Sequence, residues 1–186
     1  ENQGTQVDPI VIDLDGDGLE FLYSNSFSNN FPMTPDGSMV PMNWLSPDDG
    51  FLVLDKNDNL RIDDITEMFS EYYKTGITTG IGALSTLDEN NDNIIDANDP
   101  QFRALSIWRD ANSDGQSKPE ELQSLSDYGI EALNIGVERV YLPIDKSILL
   151  SSGTFEFENG EEGVFGEVGL AVSSISNFDA AALENE

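Results

Sequence analysis

The run DANSDGQSKPEE, residues 110–121, places oxygen-bearing side chains at alternate positions around a glycine. Its positions 1, 3, 5, 7 and 12 are Asp110, Asn112, Asp114, Gln116 and Glu121. This is the ligand spacing of a calcium-binding loop, in which position 7 contributes a backbone carbonyl and a glycine at position 6 takes positive φ. Lys118 at position 9 cannot be a ligand, so we expect a water there. The alternative is a polar turn without an ion.

Three further runs repeat the pattern, so we number the loops one to four in chain order. Loop three, DENNDNIIDAND at residues 88–99, has Asn93 in place of the glycine, which the left-handed region tolerates. Its ligand positions are Asp88, Asn90, Asp92, Ile94 (through its carbonyl), Asp96 and Asp99. The sequence predicts that loops three and four each lead into a short helix.

Loop two, residues 55–67, departs from the pattern at two positions. Leu60 occupies position 6, where positive φ would be strained, and Thr66 occupies position 12, with Glu67 one place later. Either the loop is one residue longer and Glu67 is a ligand, or the site is degraded. The candidate ligands are Asp55, Asn57, Asn59, Asp63 and Glu67.

Loop one begins with DLDGDG, residues 13–18, directly after the apolar run Ile10-Val-Ile. We expect a buried strand leading into a turn, with Asp13, Asp15 and Asp17 as ligands. Position 12 has no acid, so distant residues must complete the site: Glu20 or the pair Asp48 and Asp49. The alternative is an acidic turn at a strand end.

Position 8 of such loops forms a short bridge to a partner loop. Ile62 and Ile95 both occupy position 8, whereas Ser117 is a poorer match. The sequence therefore predicts that loops two and three pair.

The surrounding patterns predict an α+β fold, in which an EF-hand-like region of calcium loops and short helices packs with antiparallel β segments. We expect a single domain, with β segments and the first site at about 8–50, loops and helices at 50–128, and β segments at 129–178. Helical spacing marks residues 65–73, 81–87 and 120–125. Strand patterns mark residues 51–54, 107–108, 130–137, 139–144, 153–157 and 164–168.

The composition of the chain excludes several classes of function. The chain has 36 acids, 8 bases, no His and no Cys, for a net charge of −28. Such a chain disfavours nucleic acid and anionic membrane, and it excludes His- or Cys-dependent catalysis and disulfides. No apolar run approaches the roughly 18 residues of a membrane span. Several Ca²⁺ ions are the expected cofactor. Loops with few formal charges suit extracellular calcium, so we expect a monomeric, extracellular piece of a larger bacterial protein.

Three stretches, residues 8–20, 44–69 and 87–130, together resemble the FrpC-type self-processing module of RTX toxins and related calcium-binding modules of large RTX adhesins. The resemblance covers about residues 8–150 in order. It implies that calcium folds the module and that the Asp8–Pro9 bond breaks, with Asp8 and Pro9 as the reacting residues. Water or a lysine amine would then take the activated Asp8. Leu60 and Ser70 depart from the family pattern, which has glycine at both places.

Three functions remain open at this point. The first is an adhesin module that binds a cell-surface or extracellular peptide or glycan, suggested by the unusual segment 24–42 and by Trp44, Tyr72 and Tyr73. The second is autocatalytic cleavage of Asp8–Pro9, with possible Asp–Lys crosslinking; this would be the only enzymatic activity. The third is a spacer made rigid by calcium.

Overall fold

The computed structural model describes residues 7–22, 31–37, 43–144 and 147–170, and these residues form mainly antiparallel β-structure. The strands are β1 (Ile10–Ile12), β2 (Phe21–Leu22), β3 (Trp44–Leu45), β4 (Gly50–Leu54), β5 (Ile94–Asp96), β6 (Leu105–Trp108), β7 (Leu122–Ser124), β8 (Ile130–Ile144), β9 (Ser147–Phe157) and β10 (Glu162–Gly169). Eight strands form one sheet in the order β5-β8-β9-β10-β1-β4-β6-β7, and β2 pairs with β3. The segment 24–42 lies partly outside the described residues.

The central strands are buried on both faces of the sheet. In β1, Ile10 and Ile12 join one hydrophobic cluster and Val11 joins the other. Strand β4 divides in the same way, because alternate side chains point to opposite faces. The second cluster contains an aromatic group in which Trp44, Phe51 and Trp108 have ring centroids 5.0–5.7 Å apart. The run Ile10-Val-Ile is therefore a buried central strand, as its sequence predicted.

The predicted α+β class with an EF-hand-like helical region is wrong. About 12% of the described residues are helical, and within them the one α-helix is α1, Gly80–Ser85. This helix was predicted at 81–87, and Thr79 caps it by accepting a hydrogen bond from the Gly82 amide at 2.9 Å. No helix in the described part of the chain has the length and apolar character needed to cross a membrane.

The helices expected after the loops are single 3₁₀ turns. They span Ile65–Glu67, Phe102–Ala104 and Pro119–Glu121. The last two lead at once into β6 and β7; β6 pairs with β4, and β7 pairs with β6. Ladder hydrogen bonds and burial against the sheet override the helical spacing in these segments.

The β segments predicted after residue 129 are confirmed, but their bounds change. Residues 153–157 lie within the longer strand β9 and residues 164–168 within the longer strand β10. Residues 130–137 and 139–144 belong to the single long strand β8, whose register shifts between Asn134 and Glu138. Strands β8, β9 and β10 form consecutive antiparallel pairs, and β10 then pairs with β1. The C-terminal hairpins thus complete the sheet around the strand that begins next to Pro9.

Candidate metal loops and the Asp8–Pro9 bond

All four loops share one backbone conformation. Counting from the first aspartate of each loop, positions 4 and 6 have positive φ. These residues are Gly16 and Gly18, Asp58 and Leu60, Asn91 and Asn93, and Ser113 and Gly115. Loop two therefore adopts the same turn as the others although Leu60, at φ 62°, occupies its sixth position.

The first aspartate of each loop holds the turn in place. In loops two, three and four its Oδ2 accepts the position-6 amide at 2.7, 3.0 and 2.8 Å, and its Oδ1 accepts the position-5 amide. In loop one, Asp13 accepts the amides of Gly16 and Gly18. These bonds bend each loop around its own side-chain oxygens, which is the arrangement a hard cation needs.

Loop four gathers three carboxylates. Oxygens of Asp110, Asp114 and Glu121 lie within 4.8 Å of one another. Ligands on opposite sides of a calcium ion, at 2.3–2.6 Å each, are about 5 Å apart, so this group fits the ion. Asn112 lies beside it and donates to Asp114 at 2.9 Å. Position 9, Lys118, forms an ion pair with Asp114 at 2.8 Å.

Two tryptophans orient the loop-four carboxylates. Trp44 Nε1 donates to Asp110 Oδ2 at 2.7 Å, and Trp108 Nε1 donates to Glu121 Oε2 at 3.2 Å. Burial raises the pKa of Glu121, and the Trp108 hydrogen bond offsets part of that rise. No local sequence pattern marks the Trp44 contact, since Trp44 and Asp110 are 66 residues apart.

Loop one forms the second carboxylate group, and a distant residue completes it. Oxygens of Asp13, Asp15 and Asp49 lie within 4.8 Å of one another. Asp49 is 1% exposed and accepts the amides of Leu14 at 3.2 Å and Glu20 at 3.0 Å. Burial raises the pKa of Asp49 to about 6, with a further contribution from Asp13 and Asp15. Asp49 thus occupies the place that a position-12 acid has in an ordinary loop.

The other loop-one candidates lie at the edge of this group. Glu20 has an exposed side chain and contributes its amide to Asp49. Asp17 is exposed, and its pKa is raised by its side-chain hydrogen bond with Asp15 and by the neighbouring acids. Asp48 accepts a 3.4 Å hydrogen bond from Ser46 and lines a recess with Asp15.

Loops two and three are also closed by an acid that accepts two loop amides, at positions 2 and 9, whereas in loop one Asp49 accepts those of positions 2 and 8. Glu67 accepts the amides of Lys56 at 3.0 Å and Asp63 at 2.7 Å, which are positions 2 and 9. In loop three, Asp99 accepts the amides of positions 2 and 9 at 2.9 and 3.1 Å. Glu67 therefore has the role of a closing acid one residue late, which is the geometry of the longer-loop alternative.

The position-9 side chains of loops two and three accept hydrogen bonds from different partners. In loop two, Asp63 Oδ2 accepts hydrogen bonds from the side chains of Asn57 at 2.9 Å and Asn59 at 2.7 Å, so the candidate ligands converge. In loop three, Asp96 accepts hydrogen bonds from the amide and side chain of Asn98. The Asn90 side chain donates to Asp92 at 3.0 Å.

The predicted pairing of loops two and three is not found. Ile62 donates its amide to Ser117 Oγ at 3.0 Å, so position 8 of loop two contacts position 8 of loop four. Ile95 lies in β5 and pairs with Leu133 of β8 instead. Loop three pairs with the edge of the long strand β8 through β5. The sequence pattern did not predict β8 as one element.

The Asp8–Pro9 bond lies at the start of β1, inside the fold. The Pro9 carbonyl accepts the Val168 amide at 3.0 Å, and Val7 bridges to Leu170. The Asp8 amide donates to Glu71 Oε2 at 3.2 Å. Asp8 Oδ1 is buried and accepts no hydrogen bond from the described part of the chain. Burial, followed by the charges of Glu71 and Glu167, raises the pKa of Asp8 to about 7, although Arg139 opposes the shift.

Fold and site together define a β-sheet domain with four acidic loops, two of which bring three carboxylates together, and a buried Asp–Pro bond. The chain belongs to the SPM domain family, whose model matches residues 10–171. Asp8 and Pro9 lie directly before the matched range. The chain is also similar to the iron-regulated protein FrpA of Neisseria meningitidis serogroup C, at 34% identity over 178 residues. That match covers 90% of this chain and 16% of FrpA, so the chain spans a small part of this relative.

Proposed function

We propose that this chain is a calcium-ordered module that breaks its own Asp8–Pro9 peptide bond. The observation that carries the proposal is the state of Asp8: one carboxyl oxygen is buried without a hydrogen-bond donor from the described residues, and its pKa is raised to about 7. Perturbed carboxyl groups of this kind are concentrated at reactive sites. Membership of the SPM family and the resemblance to self-processing modules support the same reading.

The chemistry requires only the two residues of the bond and water. An Asp8 side-chain oxygen attacks its own backbone carbonyl carbon, the bond to the Pro9 nitrogen breaks, and that nitrogen leaves as an amine with a proton taken from water. The product is a five-membered cyclic anhydride, which water opens to a C-terminal aspartate. A lysine amine in place of water gives an Asp–Lys amide and one free carboxyl. Proximity accelerates such an intramolecular attack, and a pKa near neutrality supplies ionised carboxylate at working pH.

The metal loops would control this reaction through β1. Calcium, when bound, neutralises acidic side chains and adds its binding free energy to folding. Loop one starts at Asp13, one residue after β1 ends, and β1 starts one residue after Pro9. Ordering loop one therefore fixes the short strand that positions the bond. We place the module outside the cell in a larger RTX-type protein, because its loops suit millimolar calcium and FrpA is much longer.

Ligand recognition has lost part of its support. Trp44 is 1% exposed and Tyr73 is 9% exposed, so both pack in the core, and Tyr72 is partly buried against the second hydrophobic cluster. Binding of a peptide or glycan stays a prediction without a described site.

The experiment is the intact mass of the purified chain in millimolar calcium and in chelator. We expect calcium to release residues 1–8 and the Asp8→Ala variant to stay whole. The bond Asp99–Pro100 is an internal control with the same residue pair. Asp99 is 2% exposed and both of its oxygens accept amides, so it should not react. A bond that stays whole for a day in protein that folds with calcium would refute the proposal.

A further inference from the structure

We propose that Glu71, Gly80 and Glu167 form a clamp that holds the Asp8 peptide unit in position for cleavage. The inference rests on the proposed function and assigns it positioning residues that lie 63 or more positions away in the chain. Glu71 fixes the amide side of Asp8, and Gly80 lies against its carbonyl oxygen. Glu167 holds the helix turn that carries Gly80.

Glu71 restrains Asp8 through the backbone and, among the described residues, leaves the Oδ1 atom of its side chain without a hydrogen bond. Its Oε2 accepts the Asp8 amide at 3.2 Å, so the residue's backbone is tied to the segment after the Ile65–Glu67 turn. Asp8 Oδ1 accepts nothing from the described residues, although it is buried. A fixed backbone with a free carboxyl oxygen is the condition for attack on the adjacent carbonyl.

Gly80 determines the space around the carbonyl that would be attacked. A β-carbon at this position would clash with the Asp8 carbonyl oxygen and would lie 2.8 Å from the Phe69 carbonyl oxygen. The backbone of Gly80 has no positive φ, so its lack of a side chain serves this close approach. Any larger residue must displace either the bond or the helix.

Glu167 supports that helix from the sheet. It is fully buried, its Oε2 accepts the Ile81 amide at 2.7 Å, and its Oε1 pairs with Arg139 of β8 at 3.3 Å. A buried carboxylate is costly unless it is paired, and here the pairing ties β8, β10 and α1 together beside the bond. The clamp thus links the bond to the C-terminal hairpins.

The charged groups around Asp8 predict a shift in the pH profile of cleavage. Residues that only supported the structure would not produce this shift. Glu71 and Glu167 face Asp8 with negative charge and Arg139 faces it with positive charge. Removing the charge of Glu71 should make Asp8 easier to ionise. Because the ionised carboxylate is the attacking group, the midpoint of the cleavage pH profile should then move to lower pH.

The test compares cleavage rates and pH profiles of calcium-loaded variants by intact mass. Glu71→Gln keeps an oxygen that can accept the Asp8 amide, so we expect a profile shifted to lower pH with a similar plateau. Glu71→Ala and Gly80→Ala should slow cleavage by about 10- to 100-fold, the cost of small misplacements in such reactions. Two variants serve as controls. Glu131→Gln removes one charge at an exposed position of β8, and Gly136→Ala adds a methyl group to the same strand, where it would meet only the end of the Asn134 side chain at 3.2 Å. Both should cleave like the wild type.

Circular dichroism checks that each variant folds. If Glu71→Ala does not fold, the pH profile of Glu71→Gln and the cleavage rate of Gly80→Ala still test the clamp. Rates within about twofold of wild type for Glu71→Ala and Gly80→Ala, or an unshifted Glu71→Gln midpoint, would overturn the clamp alone. A wild-type protein that folds with calcium yet stays uncut would contradict the proposed function itself.

Discussion

Leu60 has a backbone conformation that suits glycine. Its φ is 62°, and the equivalent positions in the other loops are Gly18, Asn93 and Gly115. Left-handed backbone costs an ordinary L-residue roughly 1–2 kcal/mol. The Leu60 side chain is 64% exposed, so burial returns little of that cost.

Replacing Leu60 with glycine should therefore stabilise the protein. We expect the free energy of unfolding to rise by about 0.5–1 kcal/mol, after the greater entropy of unfolded glycine is subtracted. Urea unfolding in saturating calcium, with Asp8→Ala to prevent cleavage, measures the change. Val164→Gly is the matched control, since Val164 is 43% exposed but lies in β10, where glycine should lower stability. A Leu60→Gly protein less stable than its parent would contradict this reading.

For individual residues, the sequence predicted which side chains line each loop but not which distant acid closes loop one. Asp48 and Asp49 are adjacent, and only the sheet geometry places Asp49 under the amides of Leu14 and Glu20. Glu71 and Glu167 were missed for the same reason. Their contacts with the Asp8 region span 63 and 86 residues, and no local pattern marks them.

Among the elements, loop four is the one connected to both tryptophans. The chain has 2 Trp residues, and each donates its indole hydrogen to a loop-four carboxylate. Calcium bound at loop four would change the charge and position of those acceptors, so it should alter the intrinsic fluorescence.

A calcium titration followed by tryptophan fluorescence should report loop four. We expect Glu121→Gln to weaken the apparent affinity by about tenfold or more, since it removes the charge of a candidate ligand that Trp108 orients. Asp88→Asn, the matched change in loop three, should leave the fluorescence midpoint in place. Equal shifts in the two variants would show that the signal reflects global folding and not loop four.

The elements also show where sequence patterns failed. The loop turns were predictable because aspartate, asparagine and glycine determine them locally. The segments after the loops carry helical spacing, yet Leu105 and Leu122 begin strands. Their partners lie on β4 and β6, so long-range pairing decided their structure. The two-face burial of β1 and β4 was predictable from continuous apolar runs.

For the whole molecule, the raised pKa of Asp8 gives stability a defined pH dependence. The pKa rises from 3.8 to about 7 on folding, so the folded state holds a proton that the unfolded state has lost between those values. The stability that this proton contributes is fully present below pH 3.8 and is lost as pH rises through 7.

Asp8→Asn, which cannot ionise, isolates this effect. We compare the free energy of unfolding of the wild type with that of Asp8→Asn. The difference should be constant in acid, should fall by roughly 1–3 kcal/mol between about pH 4 and 7, and should be constant again above that range. Thermal or urea unfolding of calcium-loaded protein measures it, with Pro9→Ala added to both proteins to slow cleavage and intact mass confirming an uncut bond. A difference independent of pH would mean that Asp8 ionises at its ordinary pKa.

The location of β1 gives the two products of cleavage unequal fates. Pro9 would become a chain end, yet its carbonyl is already bonded to Val168 and the strand after it lies between β10 and β4. The downstream product would therefore keep its whole sheet and its loops. Within the described residues, the upstream product would remain attached through Val7, which is fully buried and bridged to Leu170, and through the Asp8 amide, which donates to Glu71. Release of these two contacts, after the covalent step, would then set how long the activated Asp8 end stays beside the domain that produced it.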